Sequence, residues 1–206
     1  MKCYSYVIPR DYGFAPNPYF GYCTLADCKP LIRKTAQIGD WIAAFGSAST
    51  PYREKLVILM QIEEILSFDE YWLDNRFKCK RPVFSKGVMH AYGDNIYHHI
   101  DGKWMQEPSH HSKVDGSINM LNLNKDTGTD RVLISTNFYY FGNNAITVPG
   151  EYENLIKKGR NHKINYDIEQ IECFIEYVTD HYEIGIHGTP YSRKDGTFAH
   201  YKGDIE

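Results

Sequence analysis

The chain has 206 residues, 42% of them hydrophobic and 24% charged, with a net charge of −3 at neutral pH. That length carries one domain with a sizeable core, and the acidic balance argues against a protein that tracks duplex DNA through clustered Lys and Arg, because such affinity comes from counterion release, leaving KPLIRK and KCKRP as candidate local basic patches. No apolar run approaches the roughly 20 residues that cross a bilayer.

Aromatic content is high at 15%, from 17 Tyr, 10 Phe and 3 Trp; this suits either a wet core or a surface that stacks on planar ligands. The five cysteines (Cys3, Cys23, Cys28, Cys79, Cys173) form no CxxC pair. With no secretory signal ahead of them, the expectation is a reduced, cytoplasmic protein without membrane attachment.

Lys2 to Pro9 predicts an opening strand that ends at a proline. RDYGFAPNPYFGY, with two Gly and two Pro, is a loop with defined turns, and an ordered loop this early tends to serve function. CTLADCKPLIRKTAQIGD reads as partly helical, with Leu25, Ile32 and Ala36 toward a core and Pro30 opening the helix proper. Trp41 to Ser47 and Lys55 to Leu66 are expected strands. Ser67 with Glu70 reads as the capping box of a short helix. The Asp101-Gly102 pair predicts a hairpin whose arms bring His98, His99, His110 and His111 toward one region. Arg131 to Ser135 and Phe138 to Gly142 add short strands. Asn165 to Tyr182 carries Ile168, Ile171, Phe174, Ile175 and Val178 at helical spacing, with Asp167 as cap. Residues 1–183 are thus read as one domain and 184–206 as a polar, flexible tail. Strands interrupted by short helices predict an α+β fold: a small β-barrel or curled mixed sheet with short flanking helices and a C-terminal helix.

Zinc asks for three or four Cys, His or carboxylate ligands. His98/His99 and His110/His111 are adjacent pairs, and successive strand residues face opposite sides, so each pair offers at most one ligand to a given side. Two histidines with Asp94 make an open site at most and HExxH is absent, so polar hairpin residues are expected here, with no metal and no cofactor. For acid–base chemistry the candidates are His98 or His111 with Asp94 as partner, and Asp126 is a further carboxylate able to orient a histidine. GxSxG, Walker and GxGxxG motifs are absent. Cys23, in a loop ahead of a helix, is weighed as a nucleophile, with a buried or idle thiol the favoured reading. A binding role uses more of the chain. Asp94 and Asn95 of YGDN, His110 and His111 of SHHS, and Asp126 of NKDTGTDRV suit base edges, aromatic rings suit stacking, and Arg131 or Lys29 suits a phosphate.

The strings YGFAPNP, GYCTLADCKPLIRKTAQIGDWI, FDEYWLDNRF, YGDNIYHHI, SHHS, DTGTDRVLIS and GRNHK occur in this order. They resemble the second of the nucleotide modification associated domain families, a bacterial and phage family named for its association with DNA-base modification, from about Lys2 to Tyr177. More loosely, AQIGDWIAAFGS followed by KLVILMQIEEILSFDEYW is similar to the centre of PUA-like domains of the EVE and ASCH type, small barrels several of which hold a modified or flipped base in a cleft. These resemblances imply a binder of a modified base or nucleotide in a DNA-modification or phage–bacteria conflict system. Asn17, Thr24, Lys29 and Ser47 would then line the pocket with Asp94, Asn95, His98 and His111. The alternatives are an enzyme acting on a nucleotide or modified base, and sequestration of a small signalling nucleotide.

Overall fold

The computed structural model describes residues 1–159, 161–164, 166–193 and 197–201. Arg160 of GRNHK, Asn165 ahead of the C-terminal helix, and residues 194–196 and 202–206 of the tail lie outside the described residues.

Strand β1 (Cys3–Ile8) sends Tyr4, Tyr6 and Ile8 to one buried face and Cys3 to the other, the two-residue period of a strand covered on both sides. β2 (Cys23–Leu25) precedes α1 (Pro30–Thr35), which opens at Pro30 as expected. The helical reading of residues 23–25 gives way because their backbone is claimed by antiparallel pairing with Leu133 to Ser135. β3 (Trp41–Gly46) and β4 (Leu56–Gln61) follow, and the chain then leaves the sheet to form β5 (Glu64–Leu66) in another sheet. The run expected as one strand is therefore two.

Helix α2 (Phe68–Leu73) begins at Ser67, whose hydroxyl accepts from the Glu70 N–H while the Glu70 carboxylate accepts from the Ser67 N–H, a complete capping box. Ser67→Ala is expected to cost about 1 kcal/mol, measured by urea unfolding; an unchanged midpoint would show that the cap contributes nothing here. After α3 (Val88–Ala91), β6 (Tyr97–Ile100) and β7 (Lys103–Gln106) form the predicted hairpin. Asp101 and Gly102 both take positive φ, 50° and 72°, as a two-residue turn with the right twist requires. Helix α4 (Met120–Thr127), capped by Asn119, was not anticipated. β8 (Val132–Ser135), β9 (Phe138–Tyr140), β10 (His162–Lys163), α5 (Ile168–His181) and β11 (Gly185–Ile186) complete the chain.

The main sheet is six-stranded and mixed, in the order β10-β1-β3-β4-β9-β11, with β1/β3 and β9/β11 parallel. Helix α5 covers one face through Ile171, Phe174 and Val178. The other face meets α1 and the antiparallel sheet β2-β8-β5 through Tyr4, Tyr6, Ile32, Ile42, Ile58 and Leu133. A third cluster, with Phe68, Tyr71, Tyr97, Leu123 and Val132, joins that second sheet to α2, α4 and the hairpin. Among the described residues the main sheet does not close: β10 and β11 are its edges, so the fold is α+β, a mixed six-stranded sheet with two smaller sheets and several helices, and no closed barrel. The described tail residues pack rather than stand free. The Ser192 N–H donates to the Asp11 carbonyl, and Ala199 and Tyr201 reach the Tyr92–His110 region. No described helix is long and apolar enough to cross a membrane.

Candidate functional site

Between β2 and α1 two successive non-glycine residues, Cys28 (φ 60°) and Lys29 (φ 41°), adopt left-handed backbone geometry. Such geometry costs roughly 1–2 kcal/mol per L-residue, so the surroundings must impose it. Arg33 does so. Fully buried, it donates from Nε to the Cys28 carbonyl (2.9 Å), from Nη1 to the carbonyls of Thr129 and Arg131 (both 2.8 Å) and from Nη2 to that of Asp126 (2.5 Å). A strained strand-to-helix turn is a known way of lifting a nucleophile clear of its neighbours; here it presents the half-buried thiol of Cys28.

Facing that sulfur is His111. The SHHS segment is a tight turn in which the Ser112 hydroxyl accepts from the Ser109 N–H (3.0 Å) and donates to the Ser109 carbonyl (3.0 Å), and it aims His111 inward. Its Nε2 lies 3.8 Å from Cys28 Sγ, and its Nδ1 lies 2.8 Å from Asp126 Oδ2. Helix α4 supplies Asp126, whose oxygens also accept from the Cys28 N–H (2.9 Å) and the Tyr97 hydroxyl (3.0 Å). The hairpin supports this arrangement from behind. Tyr97 and Gln106 are cross-strand partners, and Gln106 Nε2 donates both to the Tyr97 hydroxyl (3.1 Å) and to the His111 carbonyl (3.2 Å). Thiol, imidazole and carboxylate thus stand in line, each held by a second set of bonds.

Burial works against a charged His111, but the facing Cys28 and the hydrogen-bonded Asp126 outweigh it and raise its pKa well above the ordinary histidine value. Burial likewise opposes ionisation of Asp126, yet the charge and hydrogen bond of His111, helped by Arg33, hold its pKa below the usual carboxylate range. These directions favour an imidazolium paired with a carboxylate, with Nε2 of the ring facing the sulfur. Beside them Asp27 is fully buried, with neither carboxyl oxygen hydrogen-bonded. Burial, then the nearby Asp126 charge, push its pKa far up, so it is a neutral acid. One donor atom each from Cys28, His111 and Asp126 lie within 4.8 Å of one another. The set has the chemistry of zinc ligands, but Asp126 occupies the imidazole nitrogen opposite the one facing sulfur and already accepts from three donors, a geometry that suits proton transfer better than coordination.

Cys28 opens onto a cleft of ≈ 340 Å³ bordered by Tyr6, Arg10, Lys29, Lys125, His162 and Tyr201. A second cleft of ≈ 450 Å³, reaching Ser47, Arg53 and Lys157, shares Lys29 and Asn161 with it. His110 stands behind the cleft, its ring 5.9 Å from that of Tyr201. Its ring packs on Tyr12 and Phe14, its Nδ1 donates to the Ala199 carbonyl at 2.5 Å, and burial followed by the neighbouring His111 charge pushes its pKa down to about 3.

The candidates read from sequence separate into groups. Lys29 and Ser47 border the clefts. His111 and Asp126 pair with each other, so the carboxylate facing this histidine is Asp126 and not Asp94. Asn17, Thr24, Asp94 and Asn95 meet in a closed buried network and line neither cleft. Thr24 and Tyr71 donate to Asp94 (2.5 and 2.9 Å), Lys80 donates to Asn17 (3.0 Å), and Asn95 donates to the carbonyls of Tyr71 and Phe77 (3.0 and 3.2 Å). Burial raises the Asp94 pKa despite Lys80 and these hydrogen bonds. His98 stacks on Trp72 (3.9 Å between rings) and bonds Glu107, while His99 bonds Asp69. The four histidines therefore do not converge, because β6 projects its two to opposite sides, away from the SHHS turn. Arg131 donates to the carbonyls of Lys34 and Ala36 at the end of α1 and borders neither cleft. Cys23 is a core thiol against Met60, its pKa raised by burial.

Missed from the sequence were Cys28, Asp27, Arg33, Tyr97 and Gln106. The available signal was position: Cys28 stands two residues before the helix-opening Pro30, where a strand must turn abruptly. No curated protein and no solved structure matches the chain. The family model described as nucleotide modification associated domain 2 matches residues 1–196, and the chain belongs to that family.

Proposed function

We propose that this chain is an enzyme of nucleotide modification that works through a transient covalent bond to Cys28. The observation that carries this reading is the line from Cys28 Sγ through His111 to Asp126, at 3.8 and 2.8 Å, with the sulfur at a cleft. Sulfur attacks an electrophilic carbon on the base or its modifying group, and the bond from that carbon to the leaving atom breaks. The Nε2 proton of His111 passes to the leaving atom, and Asp126 stays ionised throughout. Neutral His111 then takes a proton from water or another acceptor, which attacks the same carbon; the thiolate departs and the imidazolium is restored. A modified-base binder of PUA-like type draws less support, because Asp94, Asn95 and His98, the residues expected to read the base, are buried against other side chains.

The test is intact-protein mass spectrometry during turnover of a panel of modified nucleotides and oligonucleotides, with and without chelator. An adduct that maps to Cys28, persists with chelator and is missing in Cys28→Ser supports the reading. Product formation by Cys28→Ser, chelator-sensitive product restored by zinc, or ligand retained unchanged by the wild type would overturn it.

A further inference from the structure

The two clefts share one wall, built from the end of β1 and from Lys29. Four lysines border this combined space, Lys125 in the cleft holding Cys28, Lys157 and Lys158 in the other, and Lys29 in both. Among the described residues Lys29, Lys125 and Lys157 pair with no carboxylate, whereas Lys158 and Arg53 engage Glu54, the acid in the wall. Lys29 is the most confined. Its ammonium lies 4.5 Å above the Tyr6 ring and 3.4 Å from the Val7 carbonyl, and burial lowers its pKa, with Cys28 opposing and the Lys125 charge adding to it. A half-buried ammonium without a counter-charge is costly unless an anion completes it. The cleft at Cys28 also offers flat rings, from Tyr6, His162 and Tyr201, suited to a base.

We propose that the two clefts form one groove for a nucleoside carrying a 5′ phosphate chain, its base beside Cys28 and its phosphates between Lys29 and Lys157. The placement of the base rests on the reading of Cys28 as the reacting group. A free nucleotide fits better than a strand, because the chain as a whole carries a charge of −3 and the groove needs only a few cations to meet one phosphate chain. A strand binder spreads its cations over many phosphates.

Calorimetric titration of the Cys28→Ser protein separates binding from chemistry. The probes are deoxynucleosides, their 5′-mono- and triphosphates, inorganic pyrophosphate and a short single-stranded dT oligomer, at low and moderate salt. Affinity is expected to rise at least about tenfold from nucleoside to triphosphate, as for charge-assisted phosphate contacts. Lys29→Gln and Lys157→Gln should each remove most of that gain while leaving nucleoside affinity unchanged, and Lys29→Arg should keep part of it, with circular dichroism confirming the fold. The proposal is overturned by any of these results: nucleoside binding equal to triphosphate binding, a gain untouched by Lys29→Gln, no binding of any probe, or tighter binding of the oligomer with a steep salt slope. Because the protein titrated lacks the thiol, loss of the covalent reading would leave these outcomes intact.

Discussion

Asp126→Asn should slow turnover, and the alkylation of Cys28 by iodoacetamide, far more than a one-atom change suggests. Three donors converge on the two oxygens of Asp126: the Cys28 N–H, the Tyr97 hydroxyl and His111 Nδ1. An amide offers one acceptor oxygen and one NH2, so one side of the arrangement meets donor against donor. If the amide turns its NH2 to His111, the ring must present a bare Nδ1 and becomes neutral; if it turns the NH2 the other way, the Cys28 N–H and the strained turn lose their acceptor. Loss of the orienting carboxylate in such a triad costs roughly ten-thousandfold in rate. Imidazole 15N shifts should show both ring nitrogens of His111 protonated at pH 7 in the parent and one in the variant. Wild-type turnover in Asp126→Asn would remove Asp126 from the mechanism.

The second large effect concerns stability. Arg33→Met is expected to destabilise the fold by about 3–5 kcal/mol, the usual range when a buried charged partner is removed, and to abolish selective alkylation of Cys28. Four carbonyls, those of Cys28, Asp126, Thr129 and Arg131, would lose the donors that Arg33 supplies, and the left-handed turn at Cys28 and Lys29 would be left with the bond from the Cys28 N–H to Asp126. Arg33→Lys should rescue little, since an ammonium has three donors and no planar fork. Urea unfolding gives the stability and iodoacetamide kinetics the turn. A midpoint at the parental value would show that the turn holds itself.

How much of this was legible in the sequence depended on whether the signal was local. The Ser67 capping box, the Asp101-Gly102 turn, Pro30 at a helix start and the apolar stripe of α5 are each written within a few residues, and each appears where expected. Residues 23–25 and the division of 55–66 depend on which strands pair across the fold, and pattern alone does not carry that. The site shows the same split. His111 and Asp126 were singled out as residue types able to do acid–base work, but their pairing needed helix α4, whose markers, Asn119 as cap and Gly128 at its end, were overlooked. Cys28 drew no notice beside Cys23, because what distinguishes them is burial: one is sealed against Met60 and the other stands at a cleft. Asp94, with polar neighbours in YGDN, had the look of a ligand contact and turned out to be satisfied from within.

The wall of the cleft at Tyr201 carries a consequence for synthesis. Cys28, His111 and Asp126 leave the ribosome well before Tyr201, whose ring covers His111 at 5.2 Å and borders the cleft, and before Ala199, whose carbonyl receives the His110 proton. A nascent chain therefore leaves Cys28 and His111 without Tyr201 beside them until that later segment folds back, and the cleft takes its described shape only then. An insertion directly after Tyr201 would act on that same wall of the cleft.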